Sequence, residues 1–164
     1  MPSTTKQDYE QLAYGGNKLS MHLSKATPII SEAVATRRLL ASEAGSLCVF
    51  DLAAGVVYTL PTPIAGMEFE FSVQVTITSN SAKIITNLAT EFIVGNVLVT
   101  GGTTQTVIAA AFNGTTHIAC TSSGTTTGGV IGGRIKLTAV STTLWQISGV
   151  LVGSGTVATP AATS

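Results

Sequence analysis

Charge is scarce in this chain. Only 10% of its 164 residues are Asp, Glu, Lys or Arg, and 8 acidic side chains balance 8 basic ones to a formal net charge of zero. Globular chains usually carry about a quarter charged residues, and self-repulsion is weakest at zero net charge, so this composition favours association. No basic stripe tracks a phosphate backbone, which excludes nucleic-acid binding as the expected role, and no acidic tail is present. Long apolar runs are missing as well. Asp51, Gly95, Asn96 and Arg134 interrupt them well short of the roughly 20 residues of a membrane span. The segment Met1 to Asp8 lacks the apolar stretch of a secretory signal, so synthesis in a reducing cytoplasm is expected. Cys48 and Cys120 stand singly, outside any Cys-x-x-Cys, each in an apolar strand-like run where a thiol behaves as a small hydrophobe. Buried free thiols are favoured, and the sequence leaves a disulfide between them open.

What the chain has is apolar and β-branched residues, 45% hydrophobic in all, with 17 glycines to punctuate them. Its length suits one domain, or a domain with an arm. Residues 1–35 are mixed and polar, broken by Gly15-Gly16 and Pro28, and read as an N-terminal arm. Within it, 8–14 and 31–36 are candidate helical turns, too short to be stable alone. Residues 36–153 read as strand after strand. The clearest run is Met67 to Thr78, whose period of two sets Phe69, Phe71, Val73, Val75 and Ile77 against Glu68, Glu70, Ser72, Gln74 and Thr76. Other runs span 46–52, 56–60, 82–86, 91–100, 104–112, 117–121, 130–141 and 143–152. Turn signals part them, among them Ala53-Ala54-Gly55, Asn113-Gly114 and Gly124 to Gly129. Asn113-Gly114 favours a tight hairpin, because both residues tolerate positive φ. Residues 154–164 form a small-residue C-terminal extension. The pattern predicts an all-β fold, a jelly-roll-like antiparallel β-sandwich with an extended N-terminal arm.

Catalytic patterns are weak. Glu68 and Glu70 are paired carboxylates, but two residues apart on a strand they share a face, whereas glycosidase carboxylates flank a substrate from opposite sides. Solvated or interface charges are the better reading. His117 and Cys120 point to opposite faces of a strand and have no further ligand nearby, so no metal is expected. No Gly-x-Ser-x-Gly elbow or phosphate-binding Gly-Lys-Ser/Thr loop occurs, and Gly129 to Gly133 leads into a strand rather than a nucleotide-binding helix. No cofactor is expected, and the chain is not expected to be an enzyme. Trp145, the one tryptophan, shares its strand face with Ile147 and Leu151 and is expected as a core anchor before a sugar platform.

A set of turn and packing signatures runs through most of the chain from Arg37 onward. These are Leu39-Leu40, Ala41-Ser42-Glu43-Ala44-Gly45-Ser46, Val49-Phe50-Asp51 and Ala53-Ala54-Gly55. Val57-Tyr58-Thr59-Leu60-Pro61 then leads through Ala65-Gly66 into Phe69 and Phe71. Later come Ile93-Val94-Gly95-Asn96, Thr125-Thr126-Thr127-Gly128-Gly129 and Trp145-Gln146-Ile147-Ser148-Gly149. In these the chain resembles the β-rich head decoration, or cement, proteins of bacteriophages found in marine and cyanophage genomes. The resemblance implies a structural virion protein on the outer capsid surface, a homotrimer whose partner is the major capsid protein. A phage tail-fibre or baseplate module is the alternative. Candidate capsid-facing residues are Tyr9, Leu12, Tyr14, Leu19, Met21, Ile29 and Ile30 of the arm, with the basic pair Arg37 and Arg38. That pair reads equally well as ordinary solvated charge.

Overall fold

In the computed structural model, residues 27–79, 82–102 and 106–164 are described. Nearly all regular structure is β. In chain order the strands are β1 (Ile29–Ile30), β2 (Thr36–Arg38), β3 (Leu47–Phe50), β4 (Val57–Thr59), β5 (Glu68–Val73) and β6 (Ala82–Ile85). They continue with β7 (Phe92–Gly101), β8 (Val107–Asn113), β9 (Ala119–Ser122), β10 (Arg134–Ala139), β11 (Leu144–Gly153) and β12 (Ala161–Ala162). One 3-10 turn, Ala41–Glu43, separates β2 from β3. A seven-stranded sheet has the order β1-β3-β5-β10-β11-β7-β8, and a five-stranded sheet the order β12-β9-β6-β4-β2.

The first six strands alternate between the sheets. β1, β3 and β5 lie parallel in the larger sheet, with Ile29 beside Leu47 and Leu47 beside Glu70. β2, β4 and β6 lie parallel in the smaller one, with Thr36 beside Val57 and Val57 beside Lys83. Each parallel pair needs a crossover, and here the crossover is a strand of the opposite sheet, where many folds use a helix. The expected antiparallel arrangement is therefore corrected: both sheets are mixed. Turn signals such as Ala53-Ala54-Gly55 carry the chain across to the other sheet instead of folding it back beside itself. Hairpins of the expected kind do join β7 to β8 and β10 to β11, and β11 runs parallel to β7.

Alternation along the strands sets the core. β5 reads half-buried, buried, half-buried throughout, with Phe69, Phe71 and Val73 inward and Glu68, Glu70 and Ser72 outward, as its period of two predicts. The strand ends sooner than expected. The N–H groups of Gln74 and Val75 both donate to the Phe50 carbonyl (3.1 and 3.0 Å), a local bulge that breaks the ladder. Phe50, Tyr58 and Phe71, from two strands of one sheet and one of the other, meet with ring centroids 5.3–6.3 Å apart. The Tyr58 hydroxyl donates to the Val49 carbonyl at 2.6 Å, which satisfies its one buried donor. Trp145 is fully buried against Phe69, so it anchors the core and offers no platform to a sugar. Cys48 and Cys120 are both buried and free.

Two local expectations are corrected. Residues 31–36 are not helical: Ser31 Oγ and the Ala33 N–H donate to the Asp51 carboxylate (2.6 and 3.0 Å), and this holds Ala33 at φ +48°. Asn113-Gly114 is a turn but not a two-residue hairpin. Its side-chain oxygen accepts the N–H groups of Thr115, Thr116 and His117, and the chain leaves the larger sheet for β9 in the smaller one. Ser123 Oγ does the same for Thr125, Thr126 and Thr127, so side chains do much of the loop's backbone hydrogen bonding. Inside that second loop Gly124 has φ +75°, and a Cβ there would sit 1.8 Å from the Ile77 carbonyl oxygen. Only glycine fits.

Candidate interaction surface

The outer face of the larger sheet is divided. On β5 and β10 it is charged: Lys136 pairs with Glu68 at 2.8 Å, Arg134 pairs closely with Glu70, and Thr138 Oγ1 donates to Glu68 at 3.2 Å. The hydrogen bond from Lys136 holds the Glu68 carboxyl below its usual range, and that from Arg134 does the same for Glu70. The two carboxylates are thus anionic and engaged with neighbours on one open face. Neither is held in the neutral state that a general acid needs.

On β11, β7 and β8 the same face carries no charge. Strand register places Val150 beside Leu98, Leu98 beside Ala109, and Thr100 beside Val107. Leu98, Val107 and Val150 are 45%, 56% and 40% exposed, and Ala109 and Ala111 are exposed between them. These are outward positions of regular strands, so alternation forces them off the core whatever their chemistry. The sequence reading missed this patch. The signal was there in Val107 to Asn113, a strand with no charge and no proline.

At the opposite margin of the sheet an open depression of about 410 Å³ is lined chiefly by Ile29, Leu47, Val49, Ser72, Gln74 and Ile131. No titratable side chain lines it; its polar side chains are the Ser31 and Ser72 hydroxyls and the Gln74 amide. Among the described residues no group of three His, Cys, Asp or Glu side chains could hold a metal ion. His117 instead packs edge-on to Phe112 and accepts the Asn113 N–H on Nδ1 at 3.1 Å, while Cys120 is buried apart from it.

The candidate residues separate. Tyr9, Leu12, Tyr14, Leu19 and Met21, with the 8–14 turn, lie outside the described residues. Ile29 is 65% exposed on the outer face, beside the depression; Ile30 points the other way and is buried in the core. Arg37 is engaged with Glu32 (3.1 Å) and with Glu43, whose other oxygen accepts the Leu40 N–H and so closes the 3-10 turn. Arg38 donates to the neutral amide of Asn87, which leaves its charge without a carboxylate partner among the described residues. Glu91, not singled out by sequence, is a buried carboxylate that accepts the N–H groups of Asn87 (3.0 Å) and Leu88 (3.2 Å). It closes the turn into β7, a role its place four residues after Asn87 and just before an apolar run could have signalled. A scan against protein-family models and searches of curated proteins and of solved structures return no match for this chain.

Proposed function

We propose that this chain is a structural virion protein, a capsid decoration protein that binds the outer surface of the major capsid shell and stabilises it. The observation that carries the reading is the uncharged outer face of β11, β7 and β8, where Leu98, Val107 and Val150 stand exposed among alanines. Exposed contiguous apolar surface marks interaction sites, and a flat β face suits contact with another protein better than enclosure of a small molecule. The charges on the rest of that face are spent on each other in the Glu68–Lys136 and Glu70–Arg134 pairs, and Arg37 on the smaller sheet pairs with Glu43. Recognition by such a surface rests on shape and apolar burial. We read the two sheets as the layers of a jelly-roll-like sandwich, with residues 1–35 as an arm that reaches the shell.

In this reading the protein assembles as a homotrimer and sits where several capsid subunits meet. Linked contacts then raise avidity without any single one being strong. The protein binds the assembled shell and not free subunits, so it stabilises the shell by mass action. The test is cosedimentation of the purified protein with capsids of its own virus produced without it. Saturable binding that falls little between 50 and 500 mM NaCl (roughly 14 to 4 Å screening length) is expected. Failure to bind these capsids at any salt concentration, or immunogold labelling confined to the tail, overturns the proposal.

A further inference from the structure

β8 is the one long strand among the described residues that ends a sheet, and none of those residues pairs with its free side. The bonds from the Gly101 N–H to the Thr106 carbonyl (2.8 Å) and from the Gly114 N–H to the Ile93 carbonyl (2.9 Å) fix which of its residues face β7. In an antiparallel ladder these alternate, so Thr106, Ile108, Ala110 and Phe112 turn their backbone groups to β7, and Val107, Ala109 and Ala111 turn theirs away. None of those three outward residues has a backbone partner among the described residues. The next outward residue, Asn113, has its N–H taken by His117, which closes the edge at that end.

Proteins blunt such edges with charge, proline, shortness or cover. The other sheet edges here follow that rule: β1 and β12 are two residues long, and β2 carries Arg37 and Arg38. β8 has seven residues, Val-Ile-Ala-Ala-Ala-Phe-Asn, without charge or proline. Its open groups are symmetric about Ala109. Set antiparallel against a second β8 with a two-fold axis at Ala109, Ala109 meets Ala109, and Val107 of each copy meets Ala111 of the other. Every outward N–H and C=O of the three residues then finds a partner, and small side chains at the centre let the backbones approach. The same operation joins the uncharged outer faces of the two copies, since Leu98 lies beside Ala109 in register.

We propose that β8 pairs with β8 of a second copy of this chain across a two-fold axis at Ala109, making one continuous sheet. This goes beyond the decoration reading and does not depend on it, because the partner is the chain itself. Any three-fold contact must use other surfaces, so the mass in solution is expected to be that of a dimer, or of a hexamer if both contacts form.

The test uses the full chain at tens of micromolar. Ala109→Pro removes an outward N–H and leaves the β7 ladder whole. It is expected to halve the mass measured by light scattering. Ala109→Cys places two thiols in a hydrogen-bonded pair about 5.5 Å apart at Cα, within disulfide reach, so mild oxidation is expected to yield a covalent dimer. Ala111→Cys on its own is expected not to crosslink, because its symmetry mate is four residues further along, roughly 13 Å. The native thiols are buried and do not compete. A wild-type monomer, an unchanged mass for a folded Ala109→Pro protein, or crosslinking at 111 rather than 109 overturns the proposal.

Discussion

Raising the pH from 9 towards 12 should destabilise this protein, because its two thiols are buried in the core. Burial pushes both Cys48 and Cys120 up to about 12 from the ordinary value of 9.0. Burial is the largest cause for Cys48, with the Glu43 charge adding to it, and the sole cause for Cys120. A raised folded-state value means that the native thiol stays protonated while the unfolded one ionises. The unfolded state therefore binds fewer protons between pH 9 and 12, and stability falls with pH across that window. The slope approaches about 1.4 kcal/mol per pH unit for each thiol. At pH 11 each thiol should have cost roughly 2–3 kcal/mol, or about 5 kcal/mol together, comparable to the whole stability of many domains. Tyr58, also pushed upward mainly by burial, adds to the loss above pH 10. The assay is the urea midpoint at pH 7, 8, 9, 10 and 11 in constant salt with reductant. Little change from pH 7 to 8 and a steep fall above 9 are expected. The Cys48→Ala, Cys120→Ala double variant should lose most of that slope, whatever its stability at pH 7. A midpoint flat to pH 11, or an undiminished slope in the double variant, refutes the reasoning.

Tyr58→Phe keeps the aromatic cluster but leaves the Val49 carbonyl without its donor, so a loss of about 1–3 kcal/mol by urea denaturation is expected. Gly124→Ala meets a carbonyl oxygen at 1.8 Å in a φ +75° conformation. It should cost more than about 3 kcal/mol or prevent folding, visible as insoluble expression. Lys136→Met, by contrast, removes one exposed ion pair and should change the thermal midpoint by less than about 1 kcal/mol equivalent, read by calorimetry.

Much of the strand content was readable because alternation needs no partner. Glu68 to Val73 announces a half-buried strand whichever neighbours it acquires, and the same holds for Trp145, Ile147 and Leu151 on β11. The pairing was not readable for the same reason. A period of two says which face is inward, but Leu47 beside Glu70 in parallel and Arg134 beside Ser72 in antiparallel leave the same trace along β5. Turn residues mark where the chain bends without saying to which sheet it goes. At Asn113-Gly114 the side-chain oxygen supplied the turn's hydrogen bonds, so the mirror-image hairpin turn was not required. The interaction surface was least legible, because it is defined by what adjacent strands place side by side: Leu98, Ala109 and Val150 are far apart in the chain.

The division of the outer face follows from the alternating topology. β5 arrives from the parallel half and pairs with β10, and both edges of that pair are covered by further strands. Charges there can be matched across the ladder, as Glu68 with Lys136 and Glu70 with Arg134, at little cost to burial. β8 arrives by hairpin at the end of the sheet and, among the described residues, has a neighbour on one side only, where a charge would protect an open edge. The strand instead places alanine at the two outward positions nearest its middle and valine at the next. A lone soluble domain gains nothing from leaving that edge bare, since the same groups invite unspecific pairing. Under the proposed pairing, a second copy adds its backbone at this edge without disturbing the ladder already formed with β7.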